Sequence, residues 1–315
     1  MIRAFRDDFG SAMIISASYK TDVPALYGDW FRARRIAGSC QARNVWDGKM
    51  FQVSLRDADC SDFVFGTRNA RPFEAELART GHTRPFVVQY TVTGHPRALE
   101  RSVVPPDTAI GDIRRISRQF GERAVVWRYD PVVLTDATPA AWHIENTGHL
   151  ASELAGTVDE VVVSFAQIYR KTRRNLDRAQ QETGNAWRDS SGDEKRDLLA
   201  RLGDITKAQS LSLTVCAQPE LAGDRLQPAR CIDTERLNHV ARDLGHAPVT
   251  ARTKGARPGC LCAESRDIGA YETCSHGCVY CYAVANPDRA KAAHREHDFN
   301  APGLAGARMQ ESIDA

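Results

Sequence analysis

Cys274, Cys278 and Cys281 stand in a C-x3-C-x2-C run, Cys274-Ser-His-Gly-Cys278-Val-Tyr-Cys281. Three thiolates this close in sequence can hold three corners of a four-iron, four-sulfur (4Fe-4S) cluster, leaving the fourth iron open to an outside ligand. An open iron is a place for chemistry. Structural zinc asks for four closed ligands, commonly as paired C-x2-C units, and the run supplies one such unit. The cluster is therefore the favoured reading and zinc the alternative. His276 lies awkwardly between two ligating cysteines for a fourth ligand, and is expected to pack or hydrogen-bond near a cluster sulfur. Gly277 lets the backbone pass close to an inorganic core.

A second set of thiols lies just upstream: Cys216, Cys231, Cys260 and Cys262. Together they could hold a second 4Fe-4S cluster or a structural zinc, since a C-x-C pair such as Cys260-Leu-Cys262 is tolerated at metals and is too tight for a comfortable disulfide. Cys216 and Cys231 could instead be small buried hydrophobes, and core packing is the better reading for the isolated Cys40 and Cys60. Nine cysteines is an odd number, and seven of them fall between Cys216 and Cys281. That distribution argues for metal ligation over a secreted disulfide framework and, with no signal-peptide core at Met1 to Phe9, for a cytoplasmic protein.

The elements that must position these groups follow a β/α rhythm. Short runs rich in valine and isoleucine alternate with longer helical patterns. Strands are expected at Met13 to Ile15, Cys40 to Val45, Phe63 to Gly66, Phe86 to Thr93, Ala124 to Tyr129, Val161 to Phe165 and Leu211 to Cys216, with Val249 to Arg252 as a weak eighth. A helix is expected from Pro24 to Ala37. Another runs from Asp107, as its cap, to Gly121, with Ile110, Ile113, Ile116 and Phe120 on one face. Seven or eight parallel strands favour an α/β fold closed into a (β/α) barrel of TIM type, and no glycine-rich phosphate loop argues for a dinucleotide fold. The barrel domain is assigned to residues 13–252, a cysteine-rich cluster-binding extension to 253–297 and a disordered tail to 298–315.

In such a fold chemistry gathers at the carboxyl ends of the strands. Ser16, Ser18, Arg43, Arg68, Arg128 and Asp130 are placed there, as candidate cofactor- or substrate-binding groups. The arginines suit a carboxylate or phosphate; salt bridging among themselves, as between Arg128 and Asp130, is the plainer alternative. The polar stretch Glu182 to Arg196 reads as a surface loop between two helices.

The chain of 315 residues is 42% hydrophobic and 26% charged, with a net charge of +2. A field so close to neutral gives no strong case for nucleic acid or membrane as partner. The basic run from Tyr169 to Arg178 surrounds a helix start without aromatic interleaving, so a solvated face or an anionic-substrate contact is favoured over nucleic acid. No apolar run approaches the roughly 20 residues of a membrane span.

The strings Ile14-Ile15-Ser16-Ala17-Ser18, Trp127-Arg128-Tyr129-Asp130-Pro131, Tyr169 to Asn175 and Asp267-Ile268-Gly269-Ala270-Tyr271 through Tyr282 resemble domain-of-unknown-function family 1848, across roughly Met13 to Asn286. Where family-like sequences commonly carry two arginines, this chain has Tyr19-Lys20. The resemblance implies a C-terminal cysteine cluster similar to the N-terminal cluster of radical S-adenosylmethionine proteins, in which the open iron chelates that cofactor and an aromatic-rich helix start follows, here at Tyr280 and Tyr282. It implies cleavage of S-adenosylmethionine to a 5'-deoxyadenosyl radical that abstracts hydrogen from a small-molecule or anionic substrate in the barrel mouth, fed by a reductant such as ferredoxin or flavodoxin. An iron-sulfur electron-transfer module, or a structural metal-binding protein without catalysis of its own, is the alternative from another class. A barrel hydrolase or isomerase with structural zinc is the third.

Overall fold

The computed structural model describes residues 12–44, 47–223, 225–255 and 257–304. Residues 1–11, read above for a signal sequence, and 305–315, the rest of the expected tail, lie outside them. In chain order the elements are β1 (Met13–Ser16), α1 (Val23–Leu26), α2 (Gly28–Ala37), β2 (Ser39–Arg43), β3 (Met50–Ser54), β4 (Cys60–Thr67), α3 (Glu74–Thr83) and β5 (Phe86–Thr91). Then come α4 (Pro106–Phe120), β6 (Val125–Val132), β7 (Leu134–Thr135), α5 (Ala140–Leu154), β8 (Glu160–Phe165), α6 (Arg170–Thr183), β9 (Trp187–Arg188) and α7 (Gly192–Ala208). The chain continues through β10 (Ser212–Val215), α8 (Pro219–Ala222), β11 (Gln227–Pro228), α9 (Thr234–Asp243), β12 (Ser265–Asp267) and α10 (Pro287–Arg295).

Eight strands form one sheet in the order β11-β10-β8-β6-β5-β4-β1-β12, and every ladder in it is parallel. All eight carboxyl ends therefore lie along one edge. The central strands are valine-rich and buried on both faces, Val125, Val126, Val161, Val162 and Val163 among them, as a parallel sheet covered on both sides requires. Phe31, Phe63, Phe65, Phe73, Phe86 and Phe120 meet edge to face or stacked, with centroids 4.9–5.9 Å apart, and fix α2, α4 and the turn that leads into α3 against β4 and β5.

The expected closed barrel is corrected to an α/β fold on an open sheet. Among the described residues no ladder pairs β11 with β12. These edge strands are two and three residues long, and the stretches that follow β11 and precede β12 meet at the seam. There the Ala263 N–H donates to the Ile232 carbonyl at 2.9 Å.

Other expectations also shift. β2 pairs antiparallel with β3 in a separate hairpin instead of joining the main sheet, so Arg43 sits at the end of that hairpin strand. Val249 to Arg252 forms no strand, and β11 and β12 take the remaining places. Helix α4 starts at Pro106 with Asp107 inside its first turn, while Ile110, Ile113, Ile116 and Phe120 form its buried face as expected. The helix from Pro24 is broken at Tyr27 into α1 and α2. Within the polar stretch after α6, β9 pairs with β7.

Residues 298–304, assigned above to the tail, pack on α2 and the hairpin instead. Trp30 Nε1 donates to the Ala301 carbonyl at 2.9 Å, the Gln41 N–H to that of Pro302 at 2.7 Å, and Leu304 is buried.

Candidate functional site at the carboxyl ends of the strands

Asp267, the last residue of β12, is buried and gathers the end of β1 around it. Ser16 Oγ and Ser18 Oγ donate to its carboxylate at 3.0 and 3.1 Å, the Tyr19 and Gly269 N–H groups at 3.0 Å each, and Lys20 Nζ lies 3.2 Å away. The carboxylate thus holds five partners in a buried place, which is what keeps an ionised group there tolerable. Two glycines allow the approach. A Cβ on Gly269 would lie 1.9 Å from Ser18 Oγ, and one on Gly66 would lie 2.7 Å from the Ser18 carbonyl oxygen.

The cysteine loop lands on this edge through two further carboxylates. Asp22 accepts from Thr67 Oγ1 at Oδ1 and from the Arg68 N–H at Oδ2, each at 2.7 Å, and His276 Nε2 is 2.7 Å from the same Oδ2. His276, expected near a cluster sulfur, is thus tied by its side chain to Asp22. Glu100 bridges to Cys278 in a short antiparallel pairing, with the Val279 N–H donating to the Leu99 carbonyl at 3.0 Å. Its side chain accepts from Arg68 Nη1 at 2.7 Å, from Thr93 Oγ1 at 2.6 Å and from the Tyr280 hydroxyl. Burial alone would raise the Glu100 carboxyl; the Arg68 guanidinium, with His95 and Thr93, overrides it and holds the group well below the usual carboxylate range. Leu99, Val133, Leu176, Val279 and Tyr280 form a small apolar cluster under the loop. No helix starts at Tyr280 or Tyr282; the next one, α10, begins at Pro287.

Cys274, Cys278 and Cys281 are half-buried and lie within one another's electrostatic reach. Burial, then the charge of Cys281 and Asp22, pushes the Cys274 thiol up to about 12, and burial likewise raises Cys278 and Cys281. Backbone N–H groups oppose this: those of His276 and Asp22 at Cys274, and those of Ala283, at 3.3 Å, and Val284 at Cys281. Amide donors gathered on sulfur favour thiolate over thiol, because a neutral thiol is a weak acceptor.

The four upstream thiols meet as a file. Cys216 Sγ and Cys231 Sγ are 3.4 Å apart, Cys231 contacts Cys262, and Cys262 contacts Cys260. Among the described residues, no group of three or more His, Cys, Asp and Glu side chains is so placed that it could hold a metal ion as it stands. Arg128 joins the file to the sheet, with Nη1 2.9 Å from Cys231 Sγ and 3.2 Å from Gln89 Oε1, and its guanidinium paired with Asp130. Asp130 also accepts from Ser164. Cys40 and Cys60 are buried in the main core.

The arginines expected to stand open to an anion are thus engaged with carboxylates: Arg68 with Glu100, and Arg128 with Asp130. Arg43, on its hairpin, belongs to neither group. Sequence reasoning singled out Ser16, Ser18, Arg68, Arg128, Asp130 and the seven cysteines, and missed Glu100 and Asp267 as the groups that collect them. Asp267 had a signal, since it opens the string Asp267-Ile268-Gly269; Glu100 had none. Beside Arg68 and Glu100 lies a cavity of about 170 Å³, lined also by Thr91, Thr93, His95 and Arg97. His95 is buried there with neither ring nitrogen in hydrogen-bond geometry, although Nδ1 is 3.4 Å from the Glu100 carboxylate. The basic residues of α6 are dispersed: Arg173 lies over the Trp187 ring, Lys171 near the Tyr271 ring, and Arg174 bonds the Ala285 carbonyl at 2.7 Å.

Fold and site define an α/β protein with an open parallel sheet, whose C-terminal cysteine loop is clamped over the strand ends. Residues 14–283 match the family Domain of unknown function (DUF1848), and the chain belongs to it. No curated protein and no solved structure matches the chain. Among the described residues no helix is long and apolar enough to cross a membrane.

Proposed function

We propose that this chain is an iron-sulfur enzyme of the radical S-adenosylmethionine type, in which Cys274, Cys278 and Cys281 hold a 4Fe-4S cluster. The observation that carries the reading is the donor set itself. Three thiols share one half-buried loop within one another's electrostatic reach, and the Ala283 N–H donates to Cys281 Sγ at 3.3 Å. A structural zinc asks for four closed ligands, and this loop supplies three thiols. A four-iron cluster can take three thiolates and leave its fourth iron open to an outside ligand. The residues therefore fit the cluster better than zinc. When bound, the cluster and S-adenosylmethionine supply one-electron reductive chemistry for hydrogen abstraction, with a reductant such as ferredoxin or flavodoxin as the electron source.

The chain's own residues position and enclose. The Asp22–His276 contact and the Glu100 bridge hold the loop against β4 and the segment after β5, so the thiols keep their spacing before any metal arrives. Tyr280, bonded to both Arg68 and Glu100, closes the inner side of the loop against water. The cavity beside this network suits a small molecule. An anionic substrate would have to compete with Glu100 for Arg68, so a neutral or zwitterionic one fits the pairing as it is.

The test is electron paramagnetic resonance on anaerobically purified, reduced protein with and without S-adenosylmethionine, alongside iron and zinc content. A cluster signal that shifts on adding the cofactor, and is lost in Cys278→Ala, is expected. A cluster signal indifferent to the cofactor would favour the electron-transfer module, and zinc without iron at these three cysteines would overturn the proposal.

A further inference from the structure

The seam between β11 and β12 is where the sheet fails to close, and it is also where four thiols from separate stretches of chain meet. Cys216 follows β10, Cys231 follows β11, and Cys260 and Cys262 precede β12. We propose that Cys216, Cys231, Cys260 and Cys262 are the ligands of a single thiophilic ion of the zinc class, which staples the two edges of the open sheet together.

Spacing comes first. A tetrahedral ion with metal–sulfur bonds of about 2.3 Å sets its sulfurs roughly 3.8 Å apart. Cys216 and Cys231 already stand 3.4 Å apart, and the contacts to Cys262 and on to Cys260 continue the file. That separation is too tight for neighbouring ligands of a four-iron cluster. A file is the form neutral thiols take, each S–H donating to the next sulfur. Around a cation the same side chains must swing from file to tetrahedron, which is why no ready-made ion site stands there without one.

Charge comes second. A divalent ion that displaces four thiol protons leaves a centre of net charge −2. Two guanidinium groups point at the file: Arg128 Nη1 at 2.9 Å from Cys231 Sγ, and Arg257 Nη2 at 3.7 Å from Cys216 Sγ. The Ile232 N–H adds a bond to Cys262 Sγ at 3.4 Å. Such outer partners are what orient thiolate ligands and offset their charge. The backbone is also folded for the purpose. A Cβ on Gly255 would lie 2.1 Å from the Cys260 carbonyl oxygen, and Gly259 has φ +74°, so two glycines bring Cys260 down onto the seam.

The site is independent of the cluster proposed at Cys274, Cys278 and Cys281, and the test separates them. The full chain carrying Cys274→Ser, Cys278→Ser and Cys281→Ser is purified anaerobically and its metal measured, then reloaded with cobalt(II). About one zinc-class ion per chain, and the intense visible and sulfur-to-cobalt bands of a tetrathiolate, are expected. Adding Cys231→Ser should abolish both. Should that variant fold poorly, removal of the ion from the otherwise unaltered triple variant by a chelator gives a second readout, faster amide exchange at Val215, Ile232 and Ala263. No bound metal in the triple variant, iron with cluster absorbance in place of a single ion, or cobalt bands unchanged by Cys231→Ser would each overturn the proposal.

Discussion

Asp62 carries a burial cost that its neighbours offset only in part. It lies in β4, is 1% exposed, and neither carboxylate oxygen has a hydrogen-bond partner. Burial pushes its carboxyl up to about 6, with Ser61, Arg84 and His246 opposing only in part. Because the folded value is raised above the ordinary one, the fold favours the neutral acid. The stability this supplies is present below about pH 4 and is lost as pH rises through 6. Asp62→Asn keeps the size and removes the charge. It should raise the unfolding free energy at pH 8 by on the order of 2–3 kcal/mol, and change it little at pH 4. Denaturant melts of both proteins at the two pH values check this, and equal midpoints at pH 8 would refute it. Asp267 shows the contrast: also buried, it has five donors around it. Sequence spacing does not show this difference in surroundings, since four of the five partners of Asp267 lie some 250 residues away.

At the scale of elements, the site depends on how closely β1 is approached by its neighbours. The chain after β1 runs between Gly66 in β4 and Gly269 after β12, and a methyl group at either place meets Ser18. The Gly66 contact would be with backbone oxygen, which no side-chain rotation relieves. Gly66→Ala should therefore destabilise the fold by about 1–3 kcal/mol. Gly148 is the control, because in α5 an added Cβ meets only Ile205 at an ordinary 3.8 Å. There Gly148→Ala should stabilise by about 0.5–1 kcal/mol through helix propensity. Thermal melts of the two variants should move in opposite directions, and a common direction would sink the packing account. The elements themselves were largely legible. Valine-rich runs located β4, β5, β6, β8 and β10, because strands buried on both faces need continuous apolar sequence. β11 and β12 were not legible, since Gln227-Pro228 and Ser265-Arg266-Asp267 carry no apolar signal and pair only because their neighbours hold them in place.

For the molecule as a whole, the question a sequence answers least well is which distant segments meet. Parallel order followed from the β/α rhythm, but closure did not, because closure is decided at β11 and β12, where that rhythm fades. The cysteines could be grouped by spacing, whereas their landing on Asp22 and Glu100 depends on contacts across the chain. The C-terminal arm is the clearest case. Asn300, Pro302, Gly303 and Gly306 have the composition of a tail, yet residues 298–304 return to the first helices and cover Trp30, which is fully buried. Gly303 shows why small residues are used there: a Cβ would lie 2.6 Å from the Gln41 carbonyl oxygen, so its glycine serves contact rather than disorder. Deleting 298–315 removes two hydrogen bonds worth about 1 kcal/mol each and the burial of Leu304, worth about 2 kcal/mol. The expected loss is then on the order of 3–4 kcal/mol in unfolding free energy. Deleting only 305–315 removes none of these contacts and serves as the comparison. Denaturant titration of the two truncations against the full chain decides between arm and tail: equal midpoints for both would mean that 298–304 contribute nothing, and a drop confined to the longer deletion is the outcome the packing requires.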